Sequence, residues 1–78
     1  METINESYVL KILNTYYDTD EMEEIMEDGI ESGTEGWLDT LSEVIGKSAY
    51  NDNEWEEGDN ERIMEFINVM EGMGINLF

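Results

Sequence analysis

Asp18-Thr19-Asp20-Glu21-Met22-Glu23-Glu24-Ile25-Met26-Glu27-Asp28-Gly29-Ile30-Glu31-Ser32-Gly33 is the stretch whose periodicity decides the fold. Met22, Ile25, Met26 and Ile30 recur at the three- and four-residue steps of a helix, so they share one stripe. Gly29 lies on the same face and allows a neighbour to approach closely. Asp18 or Thr19 is placed to cap the start, and acids in the first turn suit the positive end of the helix dipole. Glu31, near the far end, opposes that dipole. Ser32-Gly33 reads as the stop.

The segments on either side repeat the pattern. Val9, Ile12, Leu13 and Tyr16 fall at helical spacing, and Thr3 with Glu6 has the spacing of a capping box, which places a helix start near Ile4. Ser7-Tyr8-Val9 and Thr15-Tyr16-Tyr17 are β-prone, so a strand stays open as the competing reading of this segment. Thr34 is placed to cap a third helix whose stripe is Trp37, Leu38, Leu41, Val44 and Ile45, closed by Gly46 and the dipole-favoured Lys47. The stretch from Asn51 to Asp59 has no apolar period and reads as a loop. Asp59 or Asn60 is positioned to cap a fourth helix with Ile63, Phe66, Ile67 and Met70 facing inward. Gly72 and Gly74 end that helix. The apolar tail Ile75-Asn76-Leu77-Phe78 then closes the core or sits on a partner, with core closure favoured.

The expectation is an all-α fold: one compact domain, residues 1–78, of about four short helices. No Pro interrupts them. Helices this short are marginal alone and depend on packing. With 40% apolar residues interleaved among the acids, the chain has too much hydrophobe for an acidic disordered tail. There is no Cys to form a disulfide or thiolate metal site. METINESY lacks the basic stretch and apolar run of a signal peptide, and no apolar run approaches a membrane span. The expected location is the cytoplasm of a bacterial host cell, with no membrane contact.

The charge is the second deciding feature. Twenty-one Asp and Glu oppose three Lys and Arg, with no His, for a formal net charge of −18. Charge at this density opposes compaction through self-repulsion. An enzyme is not expected, because nucleophilic catalysis needs an activated side chain beside a base and neither His nor Cys exists. With so many carboxylates, nominating two as an acid–base pair carries no information. The oxygen-ligand spacing of an EF-hand fails twice: with Gly58 as its sixth position the third is Trp55, and with Gly29 the third is Met26. Loose, unspecific cation binding to the 52–59 loop stays open. Gly36-Trp37-Leu38-Asp39-Thr40-Leu41 superficially resembles the Asp-Ser-Leu motif of acyl carrier proteins, but Thr replaces the decisive Ser and lies inside a helix. No cofactor is expected.

The acids form two clusters. Asp20, Glu21, Glu23, Glu24, Glu27, Asp28 and Glu31 surround the apolar stripe of the second segment, roughly one charge per 2.5 Å of helix axis. Duplex DNA carries one per ~1.7 Å. Glu24, Glu27, Asp28 and Glu31 follow i, i+3, i+4 and i+7 spacing and make one ridge, with no Lys or Arg among residues 20–31 to offset it. Asp52, Glu54, Glu56, Glu57, Asp59 and Glu61 surround Trp55. That Trp either anchors its loop on the core or stands exposed to stack on a partner Arg.

In size, acidity and interleaved carboxylates over its whole length, the chain resembles the small acidic anti-defence proteins of phages and mobile elements, the anti-CRISPR and anti-restriction DNA mimics. No diagnostic motif narrows that likeness to one family. The resemblance implies an inhibitor that blocks a nucleic-acid-binding site by occupying it, through the two acidic clusters and Trp55. Its partner would be a basic nucleic-acid-binding protein or complex. Direct nucleic acid binding is not expected, since no Lys or Arg cluster exists to displace counterions. The alternative is an acidic interaction module or antitoxin-like partner of a basic protein, without mimicry; a carrier or cation buffer comes third. Six Met supply adaptable apolar surface compatible with a monomer or a homodimer.

Overall fold

Each apolar stripe becomes a helix. The structure, a computed structural model, describes residues 3–78, with the backbone alone at Asp52. Four α-helices follow in order: α1 Glu6–Tyr16, α2 Thr19–Asp28, α3 Glu35–Ile45 and α4 Glu57–Gly72, with a 3₁₀ turn at Asp52–Glu54 before α4. The fold is all-α. Among the described residues the β pairing is confined to one isolated parallel bridge, Ile30 with Leu77.

Helices α1, α3 and α4 pack on one another pairwise, whereas α2 packs against α1 and no other helix among the described residues. Val9, Ile12 and Leu13 meet Trp37, Leu41, Val44 and Ile45 of α3 and Ile63, Phe66 and Met70 of α4. Phe66 is wholly enclosed. Tyr8 meets it edge-on, with centroids 6.3 Å apart, and Trp37 meets it at a tilt, 6.1 Å away. Such pairs add about 0.5–1.5 kcal/mol beyond area burial. The first segment is a helix, because Val9 and Leu13 gain full enclosure on a single helical face, which outweighs the β preference of its Tyr and Thr residues.

The helix ends depart from the sequence reading where distant groups intervene. Asn5, not Thr3, caps α1: its Oδ1 accepts from the Tyr8 N–H at 2.9 Å, so the helix begins at Glu6. In α2 the cap is Asp18, in a reciprocal box with Glu21. α2 stops at Asp28, before Ser32-Gly33. The reason is the tail: at Gly29 the chain turns out with φ +92°, and the Ile30 N–H donates to the Asn76 carbonyl at 2.7 Å. Phe78 returns its N–H to the Ile30 carbonyl at 2.9 Å. Tail and post-helix segment thus satisfy each other's backbone, and Ile75 fills the core. Helix α4 begins at Glu57, earlier than an Asp59 or Asn60 cap would place it, because the Asp59 carboxylate reaches back to the Glu56 N–H at 2.9 Å.

Candidate functional site

The site is built on α2, the helix least engaged with the rest of the fold. Of its residues, Ile25 alone is fully buried; Met22 is half-buried against the core, and Met26 is 52% exposed. The four-residue stripe expected from sequence is therefore split. Ile25 enters the core from the helix, Ile30 enters it from the tail pairing beyond the helix, and Met26 faces outward.

Asp20, Glu21, Glu23, Glu24, Glu27 and Asp28 all lie on α2 and are all exposed. Glu31 is exposed too, but the Gly29 turn removes it from the helix. The four-residue ridge is thus corrected to three helical acids, Glu24, Glu27 and Asp28, followed by Glu31 on the adjoining segment. Six carboxylates over ten helical residues span about 15 Å, which keeps the spacing near one charge per 2.5 Å of axis. No basic residue occupies the last turn. Glu27 and Asp28 meet the negative end of the dipole, a cost of some tenths of a kcal/mol each.

A cleft of about 320 Å³ opens beside the ridge. Glu21, Glu24, Asp28 and Glu31 stand around it, with Ile25, Ile30, Tyr17 and Phe78 supplying apolar walls. The Tyr17 hydroxyl is enclosed without a hydrogen-bond partner. Burial raises its pKa, and Glu21 and Asp39 push the same way. The hydroxyls of Thr40 and Thr34 oppose that shift. Each of them already donates to a main-chain carbonyl, Gly36 at 2.8 Å and Glu31 at 3.0 Å, and neither completes a bond with the phenol. Phe78 is 62% exposed at the lip of the cleft.

The second cluster is dispersed by the fold. The Asp52 side chain lies outside the described residues. Glu54, Glu56, Glu57 and Glu61 are exposed, divided between the 3₁₀ turn, the link and the start of α4. Asp59 is turned inward: it is 8% exposed and its carboxylate lies 2.7 Å from the Lys47 ammonium. The backbone bond from Glu56, then Lys47, holds its pKa below the ordinary carboxylate value. The same contact raises the Lys47 pKa. Trp55 packs half-buried against the core, with its indole N–H enclosed and unpartnered. Of the two roles open to it, loop anchor is the one the packing assigns.

Two cations do structural work that periodicity could not show. Lys47 ties the end of α3 to the start of α4 through Asp59. Arg62 donates through Nε to the Val44 carbonyl at 2.9 Å, in the last turn of α3, and its guanidinium lies 5.9 Å from the centre of the Tyr8 ring. A cation at a helix C-terminus is favoured by the dipole. The nearest sequence signal was the three-residue spacing of Glu56 and Asp59, which resembles a capping box.

The negative field reaches the phenols. Burial first, then Glu43 and Asp39, raise the Tyr16 pKa. Tyr50 donates to the Asp39 carboxylate at 2.8 Å, which with the surrounding acids pushes its pKa up to about 12. Among the described residues no group of three or more acids is placed to hold a metal ion, and no helix is long and apolar enough to cross a membrane. Comparison with protein-family models, curated proteins and solved structures gives no match to this chain.

Proposed function

We propose that the protein is an inhibitor that occupies the nucleic-acid-binding site of a basic protein or complex, in the manner of an anti-defence DNA mimic in the cytoplasm of a bacterial host. The observation that carries this reading is the exposed array on α2: six carboxylates on one short helix, at a linear density of the same order as duplex DNA. The field of such an array steers a cationic partner into encounter and raises its association rate. The chemistry required is occupancy alone, with no bond made or broken.

A second reading, an acidic module that binds a basic protein without mimicry, draws on Met26. An exposed thioether beside the carboxylates has no counterpart on a phosphate backbone. Mobility-shift assays with labelled duplex DNA and single-stranded RNA test the premise shared by both readings. At ordinary salt the protein should leave both probes unshifted, because it repels them. Retardation of either probe would remove the basis for mimicry.

A further inference from the structure

We infer that α2 receives a basic amphipathic helix of its partner, seated along the strip formed by Met22 and Met26. The inference rests on the proposed role of α2 as the contact surface and names the element of the partner that meets it.

Met22 and Met26 are separated by one helical turn; Met22 is half-buried against the core and Met26 stands exposed. They share one open face of α2 with Asp20, Glu23, Glu24 and Glu27. Helical spacing sets these acids in two rows, Glu23 with Glu27 and Asp20 with Glu24, each one turn long. The face is therefore apolar along one side and doubly anionic along the other.

The occupant follows from charge and shape. A second copy would bring its own six α2 carboxylates against these, with −18 on each molecule. Nucleic acid and anionic lipid are repelled for the same reason. A cationic partner is the complement. A flexible basic coil would satisfy the acid rows and leave the thioethers in water. A helix with apolar residues one turn apart and Lys or Arg on the adjoining face satisfies both at once, because its i, i+4 rise matches that of Met22 and Met26. Unbranched Met adapts to side chains of varied shape, so the strip accommodates more than one such sequence.

The probe is a 14-residue peptide of Leu and Lys, with Leu at i, i+3, i+4 and i+7 spacing. Its control has the same composition, permuted so that no helical face is apolar. Methyl spectra of the Met-labelled full chain report the site, and fluorescence anisotropy reports affinity. The patterned peptide should bind about tenfold tighter than the permuted one, and should shift the Met22 and Met26 methyl signals. Met26→Gln should remove most of that preference, and Glu23→Gln with Glu27→Gln should weaken both peptides and flatten their salt dependence. Equal affinity for the two peptides would overturn the inference, since charge alone would then explain binding. So would absence of binding, or shifts confined to other methyls such as Met64. Concentration-dependent shifts at Met22 and Met26 without peptide would assign the strip to a second copy and overturn it as well. None of these failures touches competition with nucleic acid at a target, which is measured separately.

Discussion

The Asp59 carboxylate lies 2.7 Å from the Lys47 ammonium and accepts the Glu56 N–H at 2.9 Å. One acid of the second cluster is thereby committed to holding α3 against the start of α4. The cluster is in part a structural joint, whereas all six α2 acids face outward. The proposed contact surface is therefore α2.

Loss of that joint should be visible in thermal melts. Asp59→Ala is expected to lower Tm more than Lys47→Ala, because it removes the backbone bond as well as the ion pair. The Asp59 pKa is depressed in the folded state, so its contribution is present above the unfolded value, about 3.9, and disappears as pH falls through the lower folded value. The Tm difference between wild type and Asp59→Ala should therefore be full near neutrality and shrink in acid below pH 4. A difference independent of pH would contradict the assignment.

Gly29 tests the clasp between α2 and the tail. A Cβ there would collide with the Asn76 carbonyl, on a backbone of φ +92° that side chains rarely adopt. Gly29→Ala should cost about 1–3 kcal/mol from backbone strain, with the clash added. Gly33→Ala carries the strain without the clash and should cost less. Gly58, in the first turn of α4, has open space and no positive φ, so Gly58→Ala should stabilise by about 0.4–1 kcal/mol. Urea titration of the three variants gives the order directly.

Trp55 is expected to behave as a core residue. Trp55→Ala should destabilise by about 2 kcal/mol, below the full cost of emptying a core site because the ring is half-buried. Trp55→Phe should fall well short of that loss, since it also removes an enclosed N–H that has no acceptor, a group costing about 1–3 kcal/mol when unsatisfied. Chemical denaturation of the pair decides. A Trp55→Ala variant with unchanged stability would return the indole to the list of partner contacts.

Tyr50 offers a titration readout of the acid field. Its hydrogen bond to Asp39 is present below the unfolded phenol value near 10 and is lost as pH rises through about 12. In an ultraviolet titration Tyr50 should ionise near 12. Asp39→Asn should move that step down, while Tyr8→Phe should leave it in place.

The four helices were legible because each carries its own periodic stripe, and stripes are local. Asp18, Thr34 and Gly46 were legible as helix ends for the same reason: each acts within one turn of the helix it bounds. What escaped the sequence is set by distant partners. The end of α2 depends on residues 76–78, nearly fifty positions away, and nothing near Gly29 announces them. That pairing also lifts Glu31 off the helical ridge. Asp59 was legible as a helix cap and as one acid of the second cluster, but not as half of an ion pair, because Lys47 lies twelve residues earlier, across a loop without periodicity. Trp55 was open between two roles because an unpatterned segment gives no face to compare.

The most direct measurement is capture from a bacterial lysate at low salt, on immobilised wild type and on a variant carrying Glu24→Gln, Glu27→Gln, Asp28→Asn and Glu31→Gln. Removing these like charges should leave the domain at least as stable, by a few tenths of a kcal/mol per relieved pair. Wild type should retain a basic nucleic-acid-binding protein that is released by added duplex DNA and by a salt step, and the variant should not retain it. Equal retention by the two proteins, or retention that excess duplex leaves untouched, would contradict mimicry through α2.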